Sequence, residues 1–148
     1  MRNGSARDWG VAADERYLSL ETFRRNGAGV RTPVWFVADD TPGDGPATLY
    51  VYTTADSMKV KRVRRNSAAR IAACDLRGGV TGPWVEAEAV LVEGAAFDRG
   101  MRLLNRKYRP WKQVLNLFAR LFRPKPRAVI ALRPRVDRVP LPEAGAEA

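Results

Sequence analysis

Apolar and polar residues alternate with a period of two along much of the chain, and this spacing predicts β-strands. The clearest example is the segment PWVEAEAVLV at residues 83–92. One face of this segment carries Val85, Ala87, Ala89 and Leu91, and the other carries Glu86, Glu88 and Val90. Further segments rich in β-branched and aromatic side chains predict strands at residues 16–23, 30–38, 47–54, 69–76 and 127–134. Short connections between such strands favour a small, mainly antiparallel barrel.

Turn residues mark the ends of the predicted strands. Asn26-Gly27 lies between the first two strands and predicts a hairpin. The segment DDTPGDGP at residues 39–46 predicts a turn before the third strand. Pro33 lies inside the second predicted strand. Because proline has no backbone N–H, we expect an edge position or a bulge there.

The spacing of apolar residues becomes helical near Gly94. Large apolar side chains then recur every three or four residues: Phe97, Met101, Leu104, Tyr108, Trp111, Leu115, Phe118 and Phe122. This stripe predicts an amphipathic helix, and Pro110 should break it into two helices that meet near Arg109. We expect the second helix, residues 111–122, to pack on the barrel or at a dimer contact, with a membrane surface or a partner helix as the alternative.

The length of 148 residues is typical of one domain. We expect a flexible arm at residues 1–14, the barrel domain at residues 15–136 and a frayed tail at residues 137–148. The first residues lack the apolar core of a signal peptide, and the chain has no run of about 18 apolar residues that could span a membrane.

Charge and the missing histidines restrict the possible functions. The chain has 26 Lys and Arg against 16 Asp and Glu, and the net charge of +10 favours an anionic partner. It has no histidine, which excludes Ser-His-Asp and Cys-His catalysis, histidine metal sites and histidine-ligated heme. Cys74, the single cysteine, lies in the apolar run RIAACDL, so we expect a buried, inert thiol and a reducing cytoplasm. An enzyme of this composition would take its chemistry from a cofactor.

A dense basic stretch, TTADSMKVKRVRRNSAARIA, occupies residues 53–72 after the third predicted strand. Asp56 or Ser57 can cap a helix there, and helix N-termini bind anions through their free N–H groups. Side chains near the start of the stretch that could donate to a phosphate are Thr53, Thr54, Ser57, Lys59, Arg62 and Arg65. The alternative interpretation is a solvated helix face.

Two tryptophans lie in segments that could serve a ligand or simply pack. In RTPVWF, Trp35 could stack on an aromatic ligand, and Arg31 beside Thr32 could meet a second anionic group or face solvent. In GPWVE, Trp84 could line a pocket or an interface, and Glu86 could face a ring or pair with an arginine.

The order of these segments resembles a known superfamily. The segments YLSLETFRRNGAGVRTPVWFVADD, LYVYTTADSMKVKRVRRNSAARIAACDLRG and GPWVEAEAVLV are similar to those of the flavin and deazaflavin oxidoreductases related to pyridoxamine 5'-phosphate oxidase. Within that superfamily, the chain looks most like the actinobacterial class that uses coenzyme F420, and the resemblance covers residues 16–134. It implies a mainly β fold with flanking helices, a six-stranded antiparallel split β-barrel, and a homodimer with two cofactor sites at its interface.

The resemblance also implies roles for individual residues. In the oxidase, a strand ending in Tyr-Thr and a following Ser-Arg-Lys turn hold the flavin phosphate, and the matching residues here are Tyr52, Thr53, Ser57, Met58 and Lys59. Met58 stands where the oxidase has arginine, so that contact is lost, and Arg62 or Arg65 could replace it.

A second motif departs further from the oxidase. Arg31 matches the first residue of the oxidase strand that runs along the flavin, but Phe36 replaces its lysine. The His and Arg motif that binds the pyridoxal-type substrate is missing. These departures disfavour the oxidase's own activity.

The expected function is therefore hydride transfer between coenzyme F420 and an unsaturated small-molecule substrate, in the cytoplasm. FMN binding and a non-catalytic cofactor carrier are the alternatives within this fold. A basic nucleic-acid or membrane-surface protein is the alternative of another class, although we expect no nucleic-acid partner. We assign no catalytic or metal-binding residue. The residues expected to bind the cofactor are Arg31, Thr32, Pro33, Val34, Trp35, Tyr52, Thr53, Thr54, Ser57, Lys59, Lys61, Arg62, Arg65 and Trp84.

Overall fold

The computed structural model describes residue 9 and residues 15–39, 47–108 and 126–134. In these ranges the chain forms seven strands and two helices: β1 (Tyr17–Phe23), β2 (Gly29–Val34), β3 (Phe36–Ala38), β4 (Leu49–Thr54), α1 (Met58–Arg65), β5 (Ala68–Cys74), β6 (Val85–Val92), α2 (Gly94–Lys107) and β7 (Arg127–Pro134). The strands form one sheet in the order β2-β1-β5-β6-β7-β4-β3. All neighbouring strands are antiparallel, as predicted.

Alternate residues of the strands build the interior of the sheet. In β6, Ala87 and Ala89 are buried whereas Glu86 and Glu88 are exposed, which confirms the predicted alternation. Side chains of the other strands complete this core, and those that are fully buried are Leu18, Leu20, Phe36, Leu49, Val51, Ile71, Ile130 and Leu132. Burial of this apolar area is the main favourable contribution to folding.

The predicted number of six strands was wrong, and in the described residues no hydrogen-bonded ladder joins the two edge strands, β2 and β3, so the sheet is not closed. The segment predicted as one strand at residues 30–38 is divided at Trp35 into β2 and β3, which lie at opposite edges of the sheet. Pro33 cannot donate a backbone hydrogen bond to a neighbouring strand. At the division, Trp35 O accepts a hydrogen bond from Tyr52 N at 3.1 Å. The chain therefore passes from one edge of the sheet to the other within a single residue.

Helix α1 begins where the sequence predicted a cap. Ser57 has extended backbone angles, and its Oγ accepts a hydrogen bond from Val60 N at 3.3 Å. Val60 and Val63 are buried, and both belong to the one apolar face of this short helix. The helix ends at Arg65, and the basic residues of its last turn complement the negative end of the helix dipole.

Helix α2 packs on the outside of the sheet near β3, β4 and β7. Gly100 allows a close approach, because a Cβ at this position would lie 3.0 Å from atoms of Tyr50 and Val129. The helix ends at Lys107, shortly before Pro110, in agreement with the predicted break. The helix predicted at residues 111–122 lies outside the described residues.

Trp9 belongs to the segment predicted to be a flexible arm. Its side chain is 2% exposed, and its Nε1 donates a hydrogen bond to Ala47 O at 2.8 Å. The other residues of that segment, and the tail predicted at residues 137–148, lie outside the described residues, so those predictions stay open. Neither helix in the described part of the chain is long and apolar enough to cross a membrane.

The burial pattern predicts that two leucines contribute very different amounts to the free energy of unfolding. Leu20 is fully buried, whereas Leu76 is 69% exposed. Leu20→Ala should lower the free energy of unfolding by about 2–5 kcal/mol, because it removes buried apolar atoms and leaves a cavity. Leu76→Ala is the matched control and should change it by no more than about 0.5 kcal/mol. Denaturant unfolding measures both values, and equal losses would contradict this core.

Candidate functional site

A pocket of about 420 Å³ lies where the chain passes between the two edges of the sheet, beside the start of α1. Its lining comes from both edges, from α1 and from the turn after β5: Tyr17, Pro33, Val34, Trp35, Tyr52, Thr53, Thr54, Lys59 and Leu76. Small-molecule sites have volumes of roughly 300–1,000 Å³, so this pocket has the size of a ligand site. The structure thus brings together many of the residues that the sequence proposed separately.

One part of the pocket is aromatic. The rings of Trp35 and Tyr52 have centroids 6.4 Å apart and are tilted by 37°. Tyr108 does not line the pocket, but its ring stacks on Trp35 with centroids 4.6 Å apart and an interplanar angle of 5°. Trp35 therefore forms a wall that is supported from behind, and such a surface suits a planar ligand ring.

Another part of the pocket carries hydroxyl, ammonium and helix N-terminal groups. Thr53 and Thr54 end β4, and Ser57 Oγ lies 3.2 Å from Thr53 Oγ1 while it caps α1. Lys59 is the second residue of the helix and lines the pocket. No acidic residue occupies the first turn of α1. The free N–H groups, the helix dipole, the hydroxyl groups and the ammonium group together favour a phosphate.

The Lys59 ammonium group is partly withdrawn from water. Burial lowers the pKa of Lys59 below its ordinary value, and the nearby guanidinium of Arg62 lowers it further. No carboxylate of the described residues lies within 4.0 Å of this ammonium group. A bound anion would offset both unfavourable effects.

The structure places the other basic residues of the stretch away from the pocket lining. Arg62 is 7% exposed, and its Nε donates a hydrogen bond to Thr22 Oγ1 at 2.7 Å. Arg65 Nη2 donates to Phe23 O at 3.4 Å, and Lys61 is exposed. The predicted contacts of Arg62, Arg65 and Lys61 with a cofactor stay predictions.

Arg31 and Trp84 belong to a separate cluster on the sheet. Glu21 is 4% exposed, and its carboxylate accepts hydrogen bonds from Arg31 Nε at 3.2 Å and from Arg70 Nε at 2.6 Å. The guanidinium carbons of Arg31 and Arg70 lie 4.6 Å and 5.3 Å from the centre of the Trp84 ring. These contacts satisfy a buried carboxylate, so Arg31 and Trp84 have a structural role whether or not they also meet a ligand.

Thr32 has an unsatisfied hydroxyl group. Its Oγ1 is buried, and no described residue forms a hydrogen bond with it. Thr32 does not line the pocket, but it directly precedes Pro33, which does. A buried hydroxyl without a partner costs free energy, so a water or ligand atom is the expected partner.

Tyr17 and Leu76 line the pocket, although sequence reasoning did not propose them. Tyr17 is the first residue of β1, and nothing in its local pattern distinguishes it from a core aromatic residue. Leu76 is a large apolar residue within the polar turn DLRGG and is 69% exposed. An apolar side chain in such a turn is a signal that could have identified it.

The described ranges hold no group of three or more Cys, Asp and Glu side chains that could bind a metal ion. Cys74 is 3% exposed, and burial raises the pKa of its thiol, with Asp75 and Glu15 raising it further. The thiol is therefore buried and weakly reactive, as predicted.

Solved structures with this fold have different functions. A heme storage protein from Vibrio cholerae is 13% identical, with a TM-score of 0.58 over 83% of this chain and 84% of that chain. A conserved hypothetical protein from Mycobacterium tuberculosis is 20% identical, with a TM-score of 0.56 over 81% and 73% of the two chains. An F420 reductase is 17% identical, with a TM-score of 0.50 over 92% of this chain and 97% of that chain. At these identities the similarity concerns the fold alone.

The sequence itself matches no curated protein. It does match a family model, that of pyridoxamine 5'-phosphate oxidase, over residues 11–136. The match covers most of the chain, including every described strand and both described helices, and it confirms the predicted resemblance at the level of the family. The chain belongs to the pyridoxamine 5'-phosphate oxidase family.

Proposed function

We propose that this protein is an oxidoreductase that holds a phosphorylated deazaflavin or flavin in the pocket and transfers a hydride between it and an unsaturated organic substrate. One observation carries the proposal: the same pocket joins an aromatic wall at Trp35 and Tyr52 to an anion site at Lys59 and the start of α1. A flavin-type cofactor has the same two parts, a planar ring system and a phosphate.

The residues present fit such a group. The phosphate would be held by Lys59, by the hydroxyl groups of Thr53 and Thr54, and by the N-terminus of α1 that Ser57 caps. The ring system would lie against the aromatic wall, near the backbone of residues 32–35. Thr32 Oγ1, which has no partner among the described residues, is a candidate donor or acceptor for it.

The charge of the protein favours coenzyme F420 over FMN. The tail of this deazaflavin carries a phosphate and several glutamates, whereas FMN carries one phosphate. Lys61 and Arg64 are exposed on the helix whose start forms the anion site, so cations are available beyond one phosphate. An F420 reductase shares the fold, which is consistent with this choice. FMN binding and a cofactor carrier without turnover are the alternatives.

When bound, such a cofactor supplies the hydride chemistry itself. The protein would hold the ring, exclude water from it and place the substrate at about 3–3.5 Å from the reacting carbon. None of the described lining residues is acidic, and the chain has no histidine. We therefore assign no catalytic acid or base, and we expect any proton to come from solvent.

Heme storage, the function of the Vibrio cholerae protein, finds less support in this chain. Histidine is a common axial ligand of heme iron, and the chain has none. The thiol of Cys74 is buried within the sheet.

We also propose a homodimer in the cytoplasm, as the family resemblance implies. The described part of the chain exposes four large apolar side chains in one copy, and Leu76 among them lines the pocket: Met58 by 59%, Leu76 by 69%, Val80 by 40% and Val90 by 51%. A second copy would remove this apolar surface from water.

Titration of the protein with coenzyme F420, and separately with FMN, tests the proposal through the fluorescence of each cofactor in moderate salt. Saturable binding of the deazaflavin supports the preferred cofactor, and preference for FMN supports the alternative. Binding of neither, together with salt-sensitive binding to DNA or to anionic vesicles, would contradict the proposal. Stopped-flow oxidation of the bound reduced cofactor by enones or quinones then separates an enzyme from a carrier.

The anion site predicts a difference between two neighbouring lysines. Lys59→Ala should weaken binding of the preferred cofactor by about 1.5–3 kcal/mol, the range for a hydrogen bond to a charged group. The comparison is repeated with FMN, which lacks the glutamate tail that Lys61 could meet. With FMN, Lys61→Ala removes an exposed lysine from the same helix and is the matched control, with a loss of less than about 1 kcal/mol. Fluorescence titration of both variants measures the losses, and equal losses would remove Lys59 from the anion site.

The lowered pKa of Lys59 predicts a pH-dependent stability in the protein without ligand. The folded protein loses the proton of the Lys59 ammonium group at a lower pH than the unfolded chain does. In the unfolded chain, the pKa of this lysine has its ordinary value of 10.5. Between the two pKa values, the unfolded state thus binds more protons than the folded state. The contribution of Lys59 to the free energy of unfolding therefore rises with pH. The difference in free energy of unfolding between wild type and Lys59→Met should rise as the pH approaches 10.5.

Lys61→Met, at an exposed position of the same helix, provides the control for this measurement. Urea unfolding at several pH values gives the difference for each variant. A difference for Lys59→Met that is flat or falls with pH would show that the ammonium group is not destabilised in the folded protein.

A further inference from the structure

The hydroxyl group of Tyr108 is enclosed by backbone atoms. Tyr108 follows the last residue of α2 and is 2% exposed, so its hydroxyl must find partners inside the protein. Tyr108 Oη accepts a hydrogen bond from Phe36 N at 3.1 Å. It lies 2.8 Å from Arg16 O and 2.9 Å from Phe36 O, and its single proton can be donated to either carbonyl. Burial raises the pKa of Tyr108, so the hydroxyl keeps this proton well into the alkaline range.

The backbone groups that this hydroxyl holds are the neighbours of pocket residues. Arg16 directly precedes Tyr17, and Phe36 directly follows Trp35. Tyr17 and Trp35 both line the pocket. One hydroxyl group therefore holds the chain next to two pocket residues, one at the start of β1 and the other between β2 and β3.

Trp35 depends on such contacts because it lies outside the strands. It is the single residue between β2 and β3, where the ladder of one edge has ended and that of the other has not begun. The ring of Tyr108 stacks on it at 4.6 Å and 5°. Lys107 Nζ adds a hydrogen bond to Phe36 O at 2.9 Å. The end of α2 thus holds both the ring of Trp35 and the backbone that follows it.

We propose that Tyr108 is a positioning residue that holds Trp35 as a preformed wall for the planar ring of a ligand. The inference rests on the proposed function, because it concerns the ring half of the same pocket. A surface that is already in place loses less conformational entropy when a ligand binds. A tyrosine with only a structural role would affect stability without changing the affinity for a ring relative to the affinity for a phosphate.

Two small probes separate these halves of the pocket. Riboflavin carries the ring system without a phosphate, and ribose 5-phosphate carries a phosphate without a ring system. Tyr108→Phe keeps the stacked ring and removes the hydroxyl. It should weaken riboflavin binding by about 2- to 12-fold, the factor that corresponds to one hydrogen bond. The affinity for ribose 5-phosphate should not change, because the hydroxyl holds none of the residues of the anion site.

Tyr50→Phe is the matched control. Tyr50 is also buried against α2, at 7% exposure, and it packs in the same cluster as Tyr108 without lining the pocket. It should leave both affinities unchanged even if it lowers stability.

A readout without ligand accompanies the titrations. The near-ultraviolet circular dichroism of Trp35, obtained as the difference from Trp35→Phe, should change in Tyr108→Phe and not in Tyr50→Phe.

The outcomes separate this inference from the proposed function. If wild type binds riboflavin and Tyr108→Phe binds it equally well, the inference is overturned and the proposed function stands. Equal weakening of both probes, or an unchanged Trp35 spectrum, would also overturn it. If wild type binds neither probe but binds coenzyme F420 or FMN, the inference is overturned and the proposed function stands. If it binds none of these four compounds, both are overturned. If Tyr108→Phe does not fold, Lys107→Met is used instead, because it removes the other hydrogen bond to Phe36 O. This variant should weaken the binding of riboflavin and not that of ribose 5-phosphate. An unchanged affinity for riboflavin would overturn the inference in the same way.

Discussion

The hydrogen bonds around Trp35 and Phe36 are the constraint on which the rest of this structure depends. These two residues join the opposite edges of one sheet, and edge groups without a strand partner need hydrogen bonds from elsewhere. Tyr52 N donates one to Trp35 O, Lys107 Nζ donates one to Phe36 O, and Tyr108 Oη accepts one from Phe36 N. As a result, the pocket lies at the join, and α2 takes part in shaping it although no residue of α2 lines it.

Helix geometry explains why the dense basic stretch does not form a single site. Successive residues of an α-helix point about 100° apart, so neighbouring charges face different surroundings. Lys59 faces the pocket, Arg62 is buried against Thr22, and Lys61 faces solvent. Of the cations in the basic stretch, Lys59 therefore belongs to the described pocket lining, and the others lie in other environments.

The fold by itself does not select a function. Proteins with this arrangement of strands include a heme storage protein and an F420 reductase, and one scaffold commonly supports several activities. Function has to be argued from the side chains that line the pocket. In this chain, an aromatic wall beside a partly buried lysine and a helix N-terminus matches the two ends of a phosphorylated ring compound. Because the sequence has no histidine, the function that we propose assigns the chemistry to a cofactor rather than to a side chain.

Local patterns in the sequence were sufficient to predict the local features of this protein. Alternation gave the strands and the exposure of Glu86, and capping by Ser57 gave the start of α1 with Lys59 in its first turn. Such features depend on residues a few positions apart, so local patterns contain them. The order of Thr53, Thr54 and Lys59 near one helix start likewise indicated residues that line one pocket, where we propose the anion site.

The join between the two edges of the sheet and the surroundings of the pocket depend on tertiary contacts. The division at Trp35, the contribution of Leu76 and the burial of Arg62 result from contacts between segments far apart in sequence. The bond between Phe36 N and Tyr108 Oη spans 72 positions. No local pattern contains such a pair, because the free energy of the contact appears only when the sheet and α2 pack together.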